Sequence, residues 1–166
     1  MAPRIMTSPL RTLVGKRLTT ALVQNSTFEL WNGFMRQQKE ISNRINGAFL
    51  SVEIYDPASE FEKFTKHTKF EKWAAVEVSN HLSIPVGMEP LVIKEGLYAV
   101  FIHRGPARDG ARLFDFIFKE WIPASEYTVD QRPHFEIMTE KYRHEDPDSE
   151  EELWVPITRK TSPPQG

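Results

Sequence analysis

Hydrophobic positions along the chain switch between two spacings, alternating and helical, and the order of the switches outlines a fold. Thr12 to Val23 is rich in β-branched residues and reads as a strand, with Gly15 marking a bulge. Ser26-Thr-Phe-Glu29 has the form of a capping box, in which a hydroxyl accepts from a free helix N–H and the glutamate reaches back. Beyond it Trp31, Phe34, Ile41 and Ile45 recur at helical spacing with Gln38 on the same stripe. This predicts one long helix closed at Asn46-Gly47. Ala48 to Tyr55 is a strand in which Leu50, Val52 and Ile54 alternate with Ser51, Glu53 and Tyr55. Asp56 to Lys69 is polar, with Phe61 and Phe64 three apart, and reads as a loop or short surface helix. Trp73 to Ser79 is the next strand.

Asn80 to Pro90, with two prolines and Gly87, reads as a linker, and after it the order repeats. Leu91 to His103 is a strand with a break at Gly96. Leu113, Phe114, Ile117, Phe118 and Trp121 form a helical stripe that Pro123 stops. His134 to Glu140 and Glu151 to Thr158 are strands around an acidic loop, Glu145 to Glu150. Strand–helix–strand–strand therefore occurs twice, over residues 11–80 and 90–158. The predicted architecture is a single α+β domain over residues 11–158, with an antiparallel sheet, helices on one face and a ligand cleft between the halves. Residues 1–10 are expected to be an unstructured lead and residues 159–166 a disordered tail.

Composition narrows the function more than the fold. A length of 166 residues, 40 % hydrophobic and 27 % charged, suits one globular core. The formal charge of −2, with both signs mixed along the chain, offers no electrostatic footprint for direct nucleic-acid binding. Having no cysteine excludes disulfides, thiol nucleophiles, zinc–thiolate sites and iron–sulfur clusters. His67, His81, His103, His134 and His144 are scattered without metal-ligand spacing. No GxSxG, P-loop or GxGxxG occurs. No metal and no cofactor are expected. With no span-length apolar run and no secretory leader, the default location is the cytoplasm, away from membranes.

Strand parity nominates the site. Glu152 and Trp154 are two apart and share a face, while Leu153, Val155 and Ile157 take the other and pack under the helices. A carboxylate beside an indole attracts an organic cation through charge and through the ring face; the competing reading is a solvated acidic run, Glu150 to Glu152. Glu77, between Val76 and Val78, is its counterpart in the first half, or else an ordinary surface glutamate. Glu136 faces with His134 and Met138 and either supports the site or meets solvent. Tyr55 and Tyr98 offer hydroxyls to close a pocket, Tyr98 with its body in the core. Trp31 and Trp121 sit on helix stripes and read as core.

GLYAVFIHRG, the helix end FDFIFKEWIPASEY, DQRPHFEIM and SEEELWVPI together resemble the GyrI-like small-molecule-binding family, also called the AraC-type effector-binding domain. The resemblance runs from about Leu13 to Ile157. It implies two SHS2-like strand–helix–strand–strand modules, and a role in sensing or sequestering small, often cationic and aromatic, molecules through an acidic residue among rings. In transcription regulators of this family a helix-turn-helix module is attached. The ten-residue lead has no room for one, which implies similarity to free-standing members. Three readings stand on the sequence: a binding protein for cationic or aromatic small molecules; a hydrolase of reactive small molecules using Glu152 and Glu77 as acid and base with Tyr98 as helper; and an interaction or inhibitor module with a protein partner, or a homodimer through a free sheet edge.

Overall fold

The structure is a computed structural model that describes residues 2–24, 26–56, 64–106, 110–139 and 149–161. Phe61, His144 and most of the acidic loop Glu145 to Glu150 lie outside the described residues. Nine strands form one sheet system: β1 (Arg4–Ser8), β2 (Arg11–Thr20), β3 (Phe49–Ile54), β4 (Phe70–Glu77), β5 (Glu89–Ile93), β6 (Gly96–Arg104), β7 (Tyr127–Val129), β8 (His134–Met138) and β9 (Glu150–Arg159). Helix α1 (Thr27–Gln37) follows β2. Helix α2 (Gly110–Asp115) follows β6 and runs on through a π-helical stretch (Phe116–Trp121) and a last turn (Ile122–Ala124).

The strand order is β1-β6-β9-β8-β3-β4-β2-β5, with β7 added beside β9, and every pairing is antiparallel. The order reads as two copies of one unit that meet where β3 pairs with β8. The ladders superpose the copies residue by residue. Val52 faces Trp73 and Ile54 faces Glu71 in the first half; Phe135 faces Trp154 and Ile137 faces Glu152 in the second. The same superposition lays Glu53, opposite Lys72, onto Glu136, opposite Leu153.

Short links curl the sheet. Only residues 9–10 separate β1 from β2, and only residues 94–95 separate β5 from β6, yet each pair belongs to opposite ends of the strand order. A two-residue connection reaches well under 15 Å, so the ends must approach one another. The face turned inward by this curl is the main core: Leu13, Leu50, Val52, Trp73, Ile93, Tyr98, Phe135 and Trp154, all buried. Arg11 of β2 reaches across to the second half, its guanidinium 5.1 Å from the Phe135 ring centre and 5.0 Å from that of Trp154.

The outward face carries the helices. Leu30 and Phe34 of α1 pack on Val14, Ala74 and Val76. Leu113 and Ile117 pack on Ala99, Phe101, Val155 and Ile157. Each helix covers its own half, so the central strip over β3 and β8 lies between two separate apolar clusters.

Several expectations change. Residues 1–10 are not an unstructured lead throughout, because Arg4–Ser8 pairs with Gly96–Val100 as an exchanged edge strand. The tail remains ordered through Lys160, whose ammonium donates to the carbonyls of Pro123 and Ser125. The first helix is shorter than its stripe suggested. Between Met35 and Ile41 no apolar side chain is available to bury, α1 ends at Gln37, and after the short turn Gln38–Glu40 the chain extends at Ile41. Ser26 makes no side-chain cap bond, so the capping box does not form. Gly15 is not a bulge: pairing with β4 runs unbroken through Gly15↔Ala75. The break in the predicted 91–103 strand falls at residues 94–95, ahead of Gly96, and the end of the predicted linker is β5.

Candidate functional site

Strand parity sends Ser51, Glu53 and Tyr55 outward, away from the inward-facing Leu50, Val52 and Ile54. The neighbouring strands supply Lys72 opposite Glu53, and Glu136 opposite Ser51. These polar side chains therefore converge on the strip between the helices, at the junction of the halves. Glu53 and His134 are 6 % and 7 % exposed, which is unusual for such residues without a purpose-built partner set.

Glu136 pairs with Ser51 across the β3–β8 ladder, which sets its carboxyl on the same face as that of Glu53. Glu53 accepts from Ser51 Oγ at 3.3 Å, and its Oε1 lies 3.6 Å from Lys72 Nζ. Burial, then the charge and hydrogen bond of Glu53, raise the Glu136 carboxyl well above the carboxylate range, with Lys72 opposing. Two carboxyls in contact away from water do not both ionise. Burial beside a second carboxyl therefore favours the protonated form of Glu136. Burial alone would lower the Lys72 ammonium; the carboxyls of Glu53 and Glu136 outweigh it, so Lys72 stays charged. One oxygen of Glu136, Oε2, is buried with no hydrogen-bond partner among the described residues. An unsatisfied buried acceptor of this kind costs roughly 1–3 kcal/mol and marks a position built for something other than stability.

Rings wall the pair on one side. Tyr55 lies 4.9 Å from His134, 5.4 Å from Phe70 and 5.6 Å from Phe64, centre to centre. Phe114 and Phe118 of the second helical segment join the cluster, 4.5 Å from each other, with Phe118 6.0 Å from His134. Burial, then Arg132, pushes the His134 imidazole down to about 3, so it is a neutral ring here. Burial, then Glu53 and Glu136, raises the Tyr55 phenol well above its ordinary value, which keeps its proton in place. Phe64, Phe114 and Phe118 are half-buried, so part of this aromatic wall is accessible. Charge separation of this type, an acidic pair under ring faces, suits a flat or globular organic cation.

A family model described as the GyrI-like small molecule binding domain matches residues 1–158. The chain belongs to the GyrI-like family. This GyrI-like chain is 24 % identical over 160 residues to the transcriptional regulator BrlR of Pseudomonas aeruginosa, an alignment that covers 95 % of the chain and 56 % of the regulator. The chain thus spans little more than half of that protein. SAV2435, solved with bound tetraphenylphosphonium, has a TM-score of 0.70 and 18 % identity, covering 95 % of this chain and 94 % of that one. The C-terminal domain of EcmrR has a TM-score of 0.72 and 11 % identity, covering 95 % and 97 %. At these identities the structural likeness is one of fold. The GyrI-like chain is accordingly a small-molecule-binding domain related to the effector-binding domains of regulators. No helix among its described residues is long and apolar enough to cross a membrane.

The residues singled out in the sequence divide between the two faces. Glu136 and Tyr55 lie in the strip between the helices. Glu152, Trp154, Glu77 and Tyr98 lie on the inward side, and the fold does not bring them to the strip. Trp154 stacks on Phe135 at 5.3 Å, with Arg11 near its ring, and donates Nε1–H to Glu152 Oε1 at 3.2 Å. Glu152 pairs with Arg4 at 2.9 Å, and Glu77 with Arg11 at 2.7 Å. Tyr98 is fully buried and donates its hydroxyl to Pro133 O at 2.8 Å. The structural counterpart of Glu152 is Glu71, not Glu77: Trp73 donates to Glu71 at 2.7 Å as Trp154 does to Glu152. Alternation alone does not single out Glu53 and Lys72 as part of the site. Laying Val52-Glu53-Ile54 on Phe135-Glu136-Ile137, and Glu71-Lys72-Trp73 on Glu152-Leu153-Trp154, is the sequence signal that pairs Glu53 with Glu136.

Proposed function

We propose that this domain binds small organic cations with aromatic substituents over the Glu53–Glu136 pair, against Tyr55, Phe64, Phe114, Phe118 and His134. The observation that carries the reading is two carboxyls side by side at the junction of the halves, Glu53 buried and Glu136 with its Oε2 buried, flanked by ring faces. A buried carboxylate excludes anions and rewards a cation that is weakly hydrated, and aromatic substituents supply apolar area at roughly 25 cal/mol per Å². The bound tetraphenylphosphonium of SAV2435 supports this ligand class through a shared fold.

Titration with tetraphenylphosphonium, followed by tryptophan fluorescence or calorimetry, tests the assignment. Glu53→Gln and Glu136→Gln are each expected to weaken binding by about tenfold or more, the value of one charge-assisted contact of 1.4 kcal/mol or above. Glu152→Gln is expected to bind within about twofold of wild type, because its partner Arg4 sits on the opposite side of the sheet. Equal affinity of wild type and Glu53→Gln would remove the pair from the site. The raised Glu136 carboxyl also supports a second reading, a hydrolase with Glu136 as general acid. Turnover of an activated aryl ester by wild type, lost in Glu136→Gln, would turn the binding reading into a catalytic one.

A further inference from the structure

The two halves supply equivalent carboxyls but not an equivalent cation. Lys72 faces Glu53 on β4, and the matching position on β9 is Leu153. Lys72 is largely buried, with 16 % of its side chain exposed, and its ammonium lies 3.6 Å from Glu53. The charge a ligand cation would seek is thus already answered from within the protein. The neighbouring Glu136 favours its protonated, neutral form, and its Oε2 has no partner among the described residues. The other titratable or charged groups bearing on Glu136 are Glu53 on β3, Tyr55 beyond it, His134 on β8 and Glu151 on β9. Glu151 is engaged in an interaction of its own. His134 and Tyr55 keep one protonation state between pH 6 and 8, because burial holds the imidazole at about 3 and the phenol well above 10.

We propose that Lys72 is a tethered counter-ion that makes cation uptake proton-coupled: an organic cation is accommodated beside Lys72 only as Glu136 releases its proton to solvent. The balance is simple. Before binding, the core of the site holds Lys72⁺, Glu53⁻ and neutral Glu136. After binding it holds Lys72⁺ and the ligand cation against two carboxylates, with one proton in bulk water. Without Lys72, the cation pairs with Glu53⁻ directly, the Glu136 proton stays, and uptake no longer depends on pH. Lys72 thereby selects against permanent cations at low pH, which a symmetric site with an apolar residue in both halves would not do. This rests on the binding reading above and adds its control by pH.

Tetraphenylphosphonium is the probe, since it has no titratable group and any pH slope belongs to the protein. The full chain and Lys72→Met are titrated calorimetrically at pH 6, 7 and 8 in two buffers of different ionisation enthalpy. Wild type is expected to gain up to about tenfold in affinity per pH unit and to release about one proton. Lys72→Met is expected to bind at least about fivefold tighter at pH 6, with a flat profile and proton release near zero. Lys72→Gln, with circular dichroism of each variant, separates loss of charge from loss of fold. A wild-type affinity independent of pH, or an unchanged slope in both folded Lys72 variants, overturns the proposal while leaving the binding reading intact. Folded wild-type and Lys72→Met proteins that both fail to bind at every pH overturn the binding reading itself, and this proposal with it.

Discussion

Glu136 carries a penalty in the folded protein, and the penalty is measurable. Its folded carboxyl is raised, first by burial and then by Glu53, so the folded chain keeps a proton that the unfolded chain gives up above about 4.5. The stabilising side of this linkage is fully present below the unfolded value and is lost as pH rises toward the folded one. An amide cannot ionise, so Glu136→Gln escapes the loss and keeps an N–H to offer Glu53. The variant is expected to match wild type near pH 4 and to exceed it by about 1–2 kcal/mol at pH 7–8, in urea unfolding at each pH. Parallel profiles for the two proteins would mean that Glu136 holds no proton. His134 acts in the opposite direction in both proteins and so cancels from the comparison: its lowered value makes stability fall as pH drops from about 6.5 toward about 3. At this scale the sequence was partly legible. Alternation set Glu136 beside His134, and Ser51 beside Glu53 and Tyr55, but a glutamate facing out from a sheet looks the same whether water or a cleft lies above it. Burial of Glu53 is a product of the partner half and could not be read locally.

Elements were legible where periodicity was clean and obscure where it was saturated. The stripe Leu113, Phe114, Ile117, Phe118 and Trp121 marked a helix. Yet Phe116 and Ile122 make the segment apolar nearly all round, so its spacing could not reveal the π-helical stretch Phe116–Trp121 that sets Phe118 against His134. The short strand β1 was missed for the opposite reason, and β5 was read as the start of one strand with β6. Arg4–Ser8 is mostly exposed and mixed in character, and Glu89–Ile93 contains Pro90, a residue tolerated at a sheet edge such as β5 forms. Glycines separate two further cases. At Gly15, on β2 between β4 and β5, a Cβ would fall on the backbone of Ala74 and Ala75. At Gly96 it would meet the Arg132 guanidinium, which is anchored to Asp130 and to the carbonyls of Leu97 and Ile157. Backbone in a ladder cannot step aside, whereas a side chain can do so by losing hydrogen bonds. Gly15→Ala is therefore expected to destabilise by about 3 kcal/mol or more, and Gly96→Ala by about 1–2 kcal/mol, in chemical denaturation. A reversed order would show that the Arg132 cluster is the stiffer of the two.

At the scale of the molecule, the decisive feature is that the inward face is a core shared by both halves rather than an open surface. Parity placed Glu152 and Trp154 together and set Leu153, Val155 and Ile157 under the second helix, as the packing shows. What parity could not tell is which face the curl fills, because that depends on exchanged edge strands and two-residue links far away in the chain. The same closure dictates how the protein unfolds. Leu13, Leu50, Val52 and Trp73 from one half pack with Tyr98, Val100, Phe135 and Trp154 from the other, so neither half retains a core alone. Arg11 fastens them: it pairs with Glu77 in its own half, donates to Ser8 Oγ at 3.0 Å, and lies over Phe135 and Trp154 in the other. Both members of the Arg11–Glu77 pair are 12 % exposed, so removing one strands a nearly buried charge. Arg11→Ala is expected to cost about 3–4 kcal/mol, and the pair Arg11→Met with Glu77→Gln substantially less, since no charge is then left unpaired. Wild type and both variants should each unfold in a single transition, with tryptophan fluorescence and far-ultraviolet circular dichroism coinciding, because Trp31 and Trp73 report one half and Trp121 and Trp154 the other. A fluorescence change that separates from the loss of secondary structure would mean that one half survives without its mate, and that the inward core divides along the β3–β8 seam.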